Sequence, residues 1–349
     1  MIKANARGVS GPTEKFEPMT VERRDLDSRD VLIEIKYAGI CHSDIHCAHS
    51  EWKEETYPVI PGHEIAGIVM ETGSDVKKYK TGDRVGVGCM VDSCGECENC
   101  KKGEEQFCLK GATMTYADVD KYGDHTYGGY STHIVVPEDF VLHIPEGIEL
   151  DVAAPLLCAG ITTYSPLNRW GAGPGKKVAV VGLGGLGHMG VKIANAMGAE
   201  VTVLSQTLNK KEDGLRLGAD HYYATSDAST FETLAGTFDL IINTVSAKID
   251  VDAFLSLLTV DGALVNVGAP SEPLSLNVFS LLGGRRSFAG SMIGGIPETQ
   301  KMLDFCAEHG IGSEIEVISA DQIDEAYERV MASDVRYRFV IDAGTIGAE

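Results

Sequence analysis

Four cysteines are spaced in a pattern that can enclose a metal ion. They follow C-x2-C-x2-C-x7-C, at Cys94, Cys97, Cys100 and Cys108. Thiolates at this spacing can surround one ion tetrahedrally, because each two-residue gap lets the chain turn back, and Gly95 and Gly103 allow such turns. Four sulfur ligands fill the coordination shell, which favours a structural zinc site. One alternative is an iron–sulfur cluster, although the bacterial ferredoxin pattern has its fourth cysteine after three residues and then Pro. The other is a group of unliganded thiols.

A glycine-rich loop has the spacing G-x-G-x-x-G and consists of Gly182, Leu183, Gly184, Gly185, Leu186 and Gly187. It follows a predicted strand, 177–181, and opens a predicted helix, 188–197, which is the context of a dinucleotide-binding loop. The first glycine allows a tight turn, the second lets the backbone approach a pyrophosphate, and the third lets helix and strand pack closely. The helix N-terminus then faces the phosphate charge. A glycine turn that binds no nucleotide is the alternative.

The end of the next predicted strand, 200–204, indicates which dinucleotide is bound. NAD sites usually place an acidic residue there for the ribose hydroxyls, but this strand ends in Ser205, Gln206 and Thr207, and Glu200 begins it. These three side chains can donate hydrogen bonds to a 2′-phosphate, and Lys210 can supply a counter-charge. The pattern therefore predicts NADP rather than NAD, with a solvated helix start as the alternative for Lys210.

The elements that must position these motifs fall into two parts. Residues 1–150 contain short β-branched runs cut by Gly, Pro and Asp, which is typical of a turn-rich β structure. From about residue 176, strands alternate with helices, which indicates a parallel sheet with helices on both faces. A closing strand, 337–341, could join either part. The fold class predicted is α/β, with a β-rich domain beside a doubly wound one.

Length and charge limit the functions that the chain can serve. The 349 residues carry 30 Lys and Arg against 51 Asp and Glu, a formal net charge of −21. The length suffices for about two domains, and the charge argues against nucleic-acid and membrane-surface partners. No apolar run approaches the ~20 residues of a transmembrane helix, and the N-terminus lacks the apolar core of a signal peptide. We therefore expect a cytoplasmic protein, in which clustered cysteines bind metal rather than form disulfides.

Three further candidate metal ligands, Cys41, His63 and Cys158, lie far apart in the sequence. Residues 62–76 read G-H-E-x2-G-x5-G-x2-V, which resembles the signature of the zinc-containing medium-chain alcohol dehydrogenases. The four-cysteine segment and the glycine loop follow in that family's order. Residues 39–46, Gly-Ile-Cys-His-Ser-Asp-Ile-His, resemble the cinnamyl alcohol dehydrogenase branch, which includes bacterial NADP-dependent aldehyde reductases.

The resemblance implies a second zinc ion, with a catalytic role. Cys41, His63 and Cys158 would hold it and leave a fourth position open. Glu64 is implied as a nearby carboxylate, either a fourth ligand in a resting state or a charge that never binds the metal. Asp44 is implied to orient His63.

The resemblance also implies the surroundings of the nicotinamide half of the cofactor and of the substrate. The cofactor residues would be Ser43, Thr162, Gly268, Ser291, Met292 and Ile293. His42 stands where many members have an Arg that contacts the pyrophosphate, and His is only partly charged near neutrality. Trp52, Met114 and Ile293 would line a channel suited to aromatic or medium-chain aliphatic aldehydes, with a place in the core as the alternative for Trp52.

The reaction that the resemblance implies is reversible hydride transfer between NADP(H) and small primary alcohols or aldehydes. Zinc would stabilise the developing alkoxide as a Lewis acid. The proton would come from the hydroxyl of Ser43 and continue through the cofactor ribose to His46, which exchanges protons with solvent. Without the resemblance, a turn hydroxyl and an ordinary surface histidine are the alternatives.

The implied architecture is a GroES-like catalytic domain at 1–153, to which 291–349 returns, and a Rossmann NADP-binding domain at 154–290. The resemblance also implies a homodimer, since family members are usually dimers, with a tetramer as the alternative. A zinc-free quinone or enoyl reductase would lack these ligands, and a polyol dehydrogenase usually has Glu in place of Cys158. A zinc-stabilised nucleotide-binding protein without catalytic activity is the remaining alternative.

Overall fold

Antiparallel sheets carry the residues of the first part of the chain. The computed structural model describes residues 1–270 and 272–347, which divide into two compact units, Met1–Cys158 with the described residues from Gly294 onward, and Ala159–Ile293. Up to residue 158 the strands are β1 (Ile2–Gly8), β2 (Glu17–Arg23), β3 (Asp30–Gly39), β4 (Ile65–Thr72), β5 (Arg84–Val87), β6 (Met90–Asp92), β7 (Thr113–Met114), β8 (His133–Pro137) and β9 (Leu142–His143). The helices there are α1 (His42–Ala48), α2 (Glu98–Lys101) and α3 (Leu150–Ala153), with 3-10 turns at Glu105–Phe107, Glu138–Phe140 and Ala154–Leu157.

The larger sheet of this unit forms around β3. Its alternate residues Val31, Ile33 and Ile35 are buried, as expected for a strand with one face on a core. Both β4 and β8 pair with β3 in the antiparallel sense, and the sheet continues from β4 to β5 and β9. Ala38 lies opposite Ile65. The chain therefore leaves β3 and enters β4 at the same end of the sheet, which brings the residues after β3 close to those before β4.

The second unit is a parallel sheet covered by helices. Its elements are α4 (Ala159–Arg169), β10 (Lys177–Val181), α5 (Gly185–Ala196), β11 (Glu200–Ser205), α6 (Lys211–Arg216), β12 (His221–Ala224), α7 (Ser229–Thr233), β13 (Phe238–Asn243), α8 (Val251–Ser256), β14 (Leu258–Asn266), α9 (Val278–Leu282) and β15 (Ser287–Gly290). The strand order is β12-β11-β10-β13-β14-β15, with parallel pairing throughout these strands. This is the doubly wound order of dinucleotide-binding sheets. Val178, Ala179 and Val180 of β10 are fully buried, because helices cover both faces of such a sheet.

The last part of the chain returns to the first unit. It forms α10 (Ile296–Glu308), β16 (Ile315–Ile318), a 3-10 turn (Ala320–Gln322), α11 (Ile323–Met331), β17 (Arg338–Asp342) and a 3-10 turn (Ala343–Thr345). β17 pairs with β3 in the antiparallel sense, and β16 pairs with β17 in parallel. The closing strand thus joins the β-rich unit, a choice that the residue pattern alone leaves open.

The predicted fold class, α/β with one β-rich domain and one doubly wound parallel sheet, is confirmed by this architecture. Within the described ranges, no helix combines the length and the apolar composition that a membrane crossing requires.

Candidate metal centre and active site

A buried group of four side chains lies where β3, β4 and the 3-10 turn at Ala154–Leu157 meet in the first unit. Cys41 directly precedes α1, His63 and Glu64 directly precede β4, and Cys158 follows the turn. One ligand atom from each of these residues lies within 4.8 Å of those of the others. The two sulfur atoms are 3.9 Å apart. The hydrogen bond from the Cys158 thiol lowers the pKa of Cys41 well below its usual value, which favours a thiolate ligand.

Asp44 forms hydrogen bonds with two residues of this group. It lies in the first turn of α1 and is fully buried. One of its carboxylate oxygens lies 3.2 Å from Nδ1 of His63, and the other accepts the backbone N–H of Cys41 at 2.8 Å. Because Nδ1 is engaged, Nε2 of His63 is left for a metal ion, which is the usual arrangement around a zinc-binding histidine.

Glu64 completes the group and forms an ion pair with a residue that the sequence analysis did not single out. One carboxylate oxygen of Glu64 accepts a hydrogen bond from Arg338 at the start of β17, and both side chains are buried. The other oxygen has no hydrogen-bond partner among the residues that the structure describes. Burial raises the pKa of Glu64 to about 8, while Arg338 opposes this shift. An unpartnered buried carboxylate oxygen beside two thiols and an imidazole fits a soft divalent cation such as zinc.

Ser43 and His46 lie on α1, beside this group. The Ser43 hydroxyl contacts the Cys41 sulfur at 3.7 Å. Nδ1 of His46 pairs with the carboxylate of Glu51, and its ring lies 4.8 Å from that of Trp52. Nε2 of His46 is buried, with no hydrogen-bond partner within the described ranges. Trp52 is 50% exposed, so the alternative that it belongs to the core is wrong.

Glu51 is a further residue that the sequence analysis missed. Its carboxylate also lies 3.8 Å from Nδ1 of His49. Residues that face each other on a helix are three or four positions apart, whereas Glu51 is five positions after His46 and lies beyond the end of α1 at Ala48. The sequence therefore offered one signal for this pair, the closeness of the two residues along the chain.

The four-cysteine segment closes on itself in the same unit. Its sulfur atoms also lie within 4.8 Å of one another. Backbone N–H groups point at them: Cys97 N–H donates to Cys94 at 3.4 Å, and Leu109 N–H donates to Cys97 at 3.5 Å. Backbone hydrogen bonds from Cys100 and Leu109 lower the pKa of Cys97 to about 6. The donor set and these N–H groups fit four zinc-bound thiolates.

The predicted glycine turns are present in this segment. Gly95 and Gly103 have φ of +66° and +74°, a backbone region that favours glycine. Glu105 accepts the backbone N–H of Ile296 at 2.9 Å, so the segment is tied to the start of α10.

The glycine loop of the second unit joins β10 to α5. Gly182 has φ of +88°, which supplies the tight turn. A side chain at Gly187 would collide with the Gly182 carbonyl, whereas a Cβ at Gly184 would meet open space. The third glycine is therefore required for packing, and the second leaves room for a ligand to approach the backbone.

The end of β11 presents polar groups next to this loop. Ser205 is half-buried, while Gln206 and Thr207 are exposed. Nζ of Lys210 donates to the Leu183 carbonyl at 3.2 Å, which holds the ammonium group beside the glycine loop. Hydroxyls, an amide and an ammonium group suit a phosphate better than a ribose hydroxyl pair.

The other predicted residues are divided between the units. In the second unit, Thr162 is buried on α4, Gly268 is buried after β14, and the segment after β15 contains Ser291, Met292 and Ile293. In the first unit, His42 is exposed, and Met114 on β7 is 40% exposed.

Comparison with known proteins agrees with both units. The chain matches the alcohol dehydrogenase GroES-like domain over residues 27–146 and the zinc-binding dehydrogenase family over residues 185–308. It is 64% identical to the probable formaldehyde dehydrogenase AdhA of Bacillus subtilis, over 97% of each chain. It is 62% identical to NADP-dependent alcohol dehydrogenase C 1 of Mycolicibacterium smegmatis, over 99% of each. The structure of a cinnamyl alcohol dehydrogenase from Sorghum bicolor superposes with a TM-score of 0.97 at 44% identity, covering 100% of this chain and 99% of that one.

The predicted family is confirmed by these matches, which span nearly the whole chain and include relatives well above 30% identity. The geometry agrees, since both groups of potential zinc ligands and the dinucleotide-type loop are formed. The chain belongs to the zinc-containing medium-chain alcohol dehydrogenase family.

Proposed function

We propose that this protein is an NADP-dependent alcohol dehydrogenase that interconverts aldehydes and primary alcohols. The observation that carries the proposal is the buried group of Cys41, His63, Glu64 and Cys158, whose donor atoms lie within 4.8 Å of one another. Two thiolates and one imidazole are a ligand set of catalytic zinc. The relatives named for alcohol dehydrogenase and for NADP use support the substrate class and the cofactor.

Zinc held by Cys41, His63 and Cys158 would supply Lewis-acid polarisation of a carbonyl oxygen, and bound NADPH would supply the hydride. The chain's own residues orient and transfer protons. Asp44 fixes His63 through Nδ1, and Arg338 holds Glu64 by an ion pair. The four-cysteine group has no open position and would hold a structural zinc ion.

Proton exchange is assigned to two side chains of α1. The Ser43 hydroxyl, beside the Cys41 sulfur, would give its proton to the product oxygen. His46 would restore that proton from solvent, and its pairing with Glu51 at Nδ1 fixes the orientation of the ring.

NADP binding is assigned to the second unit, within the predicted domain bounds of 154–290. The glycine loop would receive the pyrophosphate at the start of α5. Ser205, Gln206, Thr207 and Lys210 would bind the 2′-phosphate. The substrate class proposed is aromatic or medium-chain aliphatic aldehydes, because the exposed faces of Trp52 and Met114 are large and apolar.

The test of this function is an aldehyde panel run with both reduced cofactors. Cinnamaldehyde, benzaldehyde, octanal and formaldehyde are each incubated with NADPH or NADH, and oxidation is followed at 340 nm. We expect NADPH to be preferred in kcat/KM by about 100-fold, and Lys210→Ala to lower that preference about 10-fold, as for loss of a charged hydrogen bond. Lys211→Ala, the neighbouring lysine, is the matched control. Equal use of both cofactors would contradict the NADP assignment, and NADPH binding without oxidation across the panel would favour a protein without catalytic activity.

The proton path makes its own prediction. His46→Gln and Ser43→Ala are each expected to lower kcat at pH 7 about 100-fold, since positioned acid–base groups contribute on this scale. Exposed His309 directly follows α10 and lies outside both groups of metal ligands, so His309→Gln serves as the control. Stopped-flow measurement of aldehyde reduction gives the rates. Wild-type rates in both α1 variants would exclude the path.

We further propose that the protein is a cytoplasmic homodimer. The dimer assignment is supported by Val278, Phe279 and Leu282 of α9, which are 55%, 73% and 65% exposed, and by β15, which ends the parallel sheet as described. A cytoplasmic location is supported by nine free cysteines, since zinc-binding thiolates persist in a reducing compartment. Sedimentation equilibrium that gives the monomer mass at micromolar concentration would contradict the dimer.

A further inference from the structure

Asp44 lies at the centre of a buried hydrogen-bond network behind the zinc ligands. One of its carboxylate oxygens accepts the backbone N–H of Gly62 at 3.1 Å and contacts Nδ1 of His63 at 3.2 Å. The other accepts the backbone N–H of Cys41 at 2.8 Å and the hydroxyl of Tyr130 at 3.3 Å. A fully buried carboxylate depends on such donors, because a buried charge without partners is strongly unfavourable.

The hydroxyl of Tyr130 in turn accepts a hydrogen bond from a second buried phenol. Tyr327 donates to it at 3.3 Å, and the two residues are 197 positions apart. Tyr130 is 0% exposed and Tyr327 is 3% exposed. The ring of Phe16 packs against both, with centroid distances of 5.9 Å to Tyr130 and 5.1 Å to Tyr327. A line of hydrogen bonds thus runs from α11 through both tyrosines and Asp44 to His63.

The hydroxyls of Tyr130 and Tyr327 contribute hydrogen bonds in addition to the packing of their rings. Phenylalanine would occupy nearly the same volume without a polar atom, and a buried hydroxyl without a hydrogen-bond partner is unfavourable. The Tyr327 hydroxyl donates to the Tyr130 hydroxyl, and the Tyr130 hydroxyl donates to the Asp44 carboxylate. Burial raises the pKa of both tyrosines well above the usual value, so both keep their protons and remain donors.

We propose that Tyr130 and Tyr327 are positioning residues of the catalytic zinc site. The Tyr130 hydroxyl holds the Asp44 carboxylate directed at Nδ1 of His63, and Tyr327 orients the Tyr130 hydroxyl. A fixed Nδ1 hydrogen bond sets the ring orientation and increases the basicity of the nitrogen that binds metal. The inference rests on the zinc site of the proposed function and extends it to α11, outside the ligands themselves.

The experiment measures zinc affinity of the full chain rather than turnover. Tyr130→Phe, Tyr327→Phe and the double variant are titrated with zinc against a chromophoric chelator, with the four-cysteine group of the same chain as internal reference. At the buried group of Cys41, His63, Glu64 and Cys158, called the Cys41 group below, we expect Tyr130→Phe to weaken zinc binding about 10-fold, in line with other partners of metal ligands. We expect Tyr327→Phe to weaken it about 3-fold. The double variant should match Tyr130→Phe, because Tyr327 acts through Tyr130. Co²⁺ bound at the Cys41 group should show a shifted visible spectrum in Tyr130→Phe.

The matched control is Tyr79→Phe. Tyr79 is a partly buried tyrosine of the same unit, and it donates to the Val141 carbonyl at 2.6 Å. Its substitution should lower stability without changing zinc affinity. Unchanged affinity in Tyr130→Phe, or additive losses in the double variant, would overturn the inference and leave the proposed function intact. A wild-type chain that binds zinc at the four cysteines alone would overturn both.

Discussion

Cys158→Ala is expected to lower kcat/KM for aldehyde reduction by about 1000-fold or more. The change removes one of two thiolates from the buried group, and Lewis-acid stabilisation by a bound metal is worth several kcal/mol, at about 1.4 kcal/mol for each factor of ten. Zinc content should fall from two ions to one per chain, because the four-cysteine group lies elsewhere in the same unit. Steady-state kinetics together with metal analysis measure both effects.

The control for this variant is Cys306→Ala. Cys306 is a fully buried cysteine of α10 outside both groups of metal ligands. Its loss should reduce stability through packing but leave two zinc ions and the activity in place. Full activity in Cys158→Ala with one zinc ion per chain would exclude this cysteine from the catalytic site.

Arg338→Met is expected to cost about 1–3 kcal/mol of stability, because it leaves a buried carboxyl group without its hydrogen-bond partner. Glu64 is fully buried and pairs with Arg338, so its carboxyl group would lose that partner in the Arg338→Met variant. The urea midpoint of the zinc-loaded protein, followed by circular dichroism, measures the loss.

The double variant Glu64→Leu/Arg338→Met separates the ion pair from packing. It replaces both polar partners by apolar side chains of similar volume, so it should recover much of the stability that Arg338→Met loses. An unchanged midpoint in Arg338→Met would show that the pair does not stabilise the first unit.

Features encoded by neighbouring residues could be predicted from the sequence. The four cysteines and the glycine loop each lie within one short segment, so spacing alone indicates their geometry. The doubly wound sheet was also predictable, because its strands are buried on both faces and therefore read as continuous apolar runs. Cys41, His63 and Cys158 were identified by resemblance to a family, since no local spacing connects them.

Features that depend on distant pairing could not be predicted. Arg338 lies 274 positions from Glu64, and nothing around it in the sequence marks a buried cation. The partner of the closing strand depends on which sheet edge is open, which is a property of the assembled fold. In the sequence, Tyr130 and Tyr327 resemble ordinary core aromatics. Their hydroxyls form hydrogen bonds toward Asp44 once α11 has packed against the first unit.

The return of the chain to its first unit has a consequence for synthesis on the ribosome. Residues 159–293 emerge as one uninterrupted segment, so the parallel sheet can form as soon as they leave the exit tunnel. The sheet around β3 must wait for β17, which covers its open edge. Throughout that interval the nascent chain exposes an unpaired strand edge beside Cys41, and Glu64 lacks its counter-charge. The first unit, which contains both groups of potential zinc ligands, is therefore the first to be synthesised and the last to complete its fold.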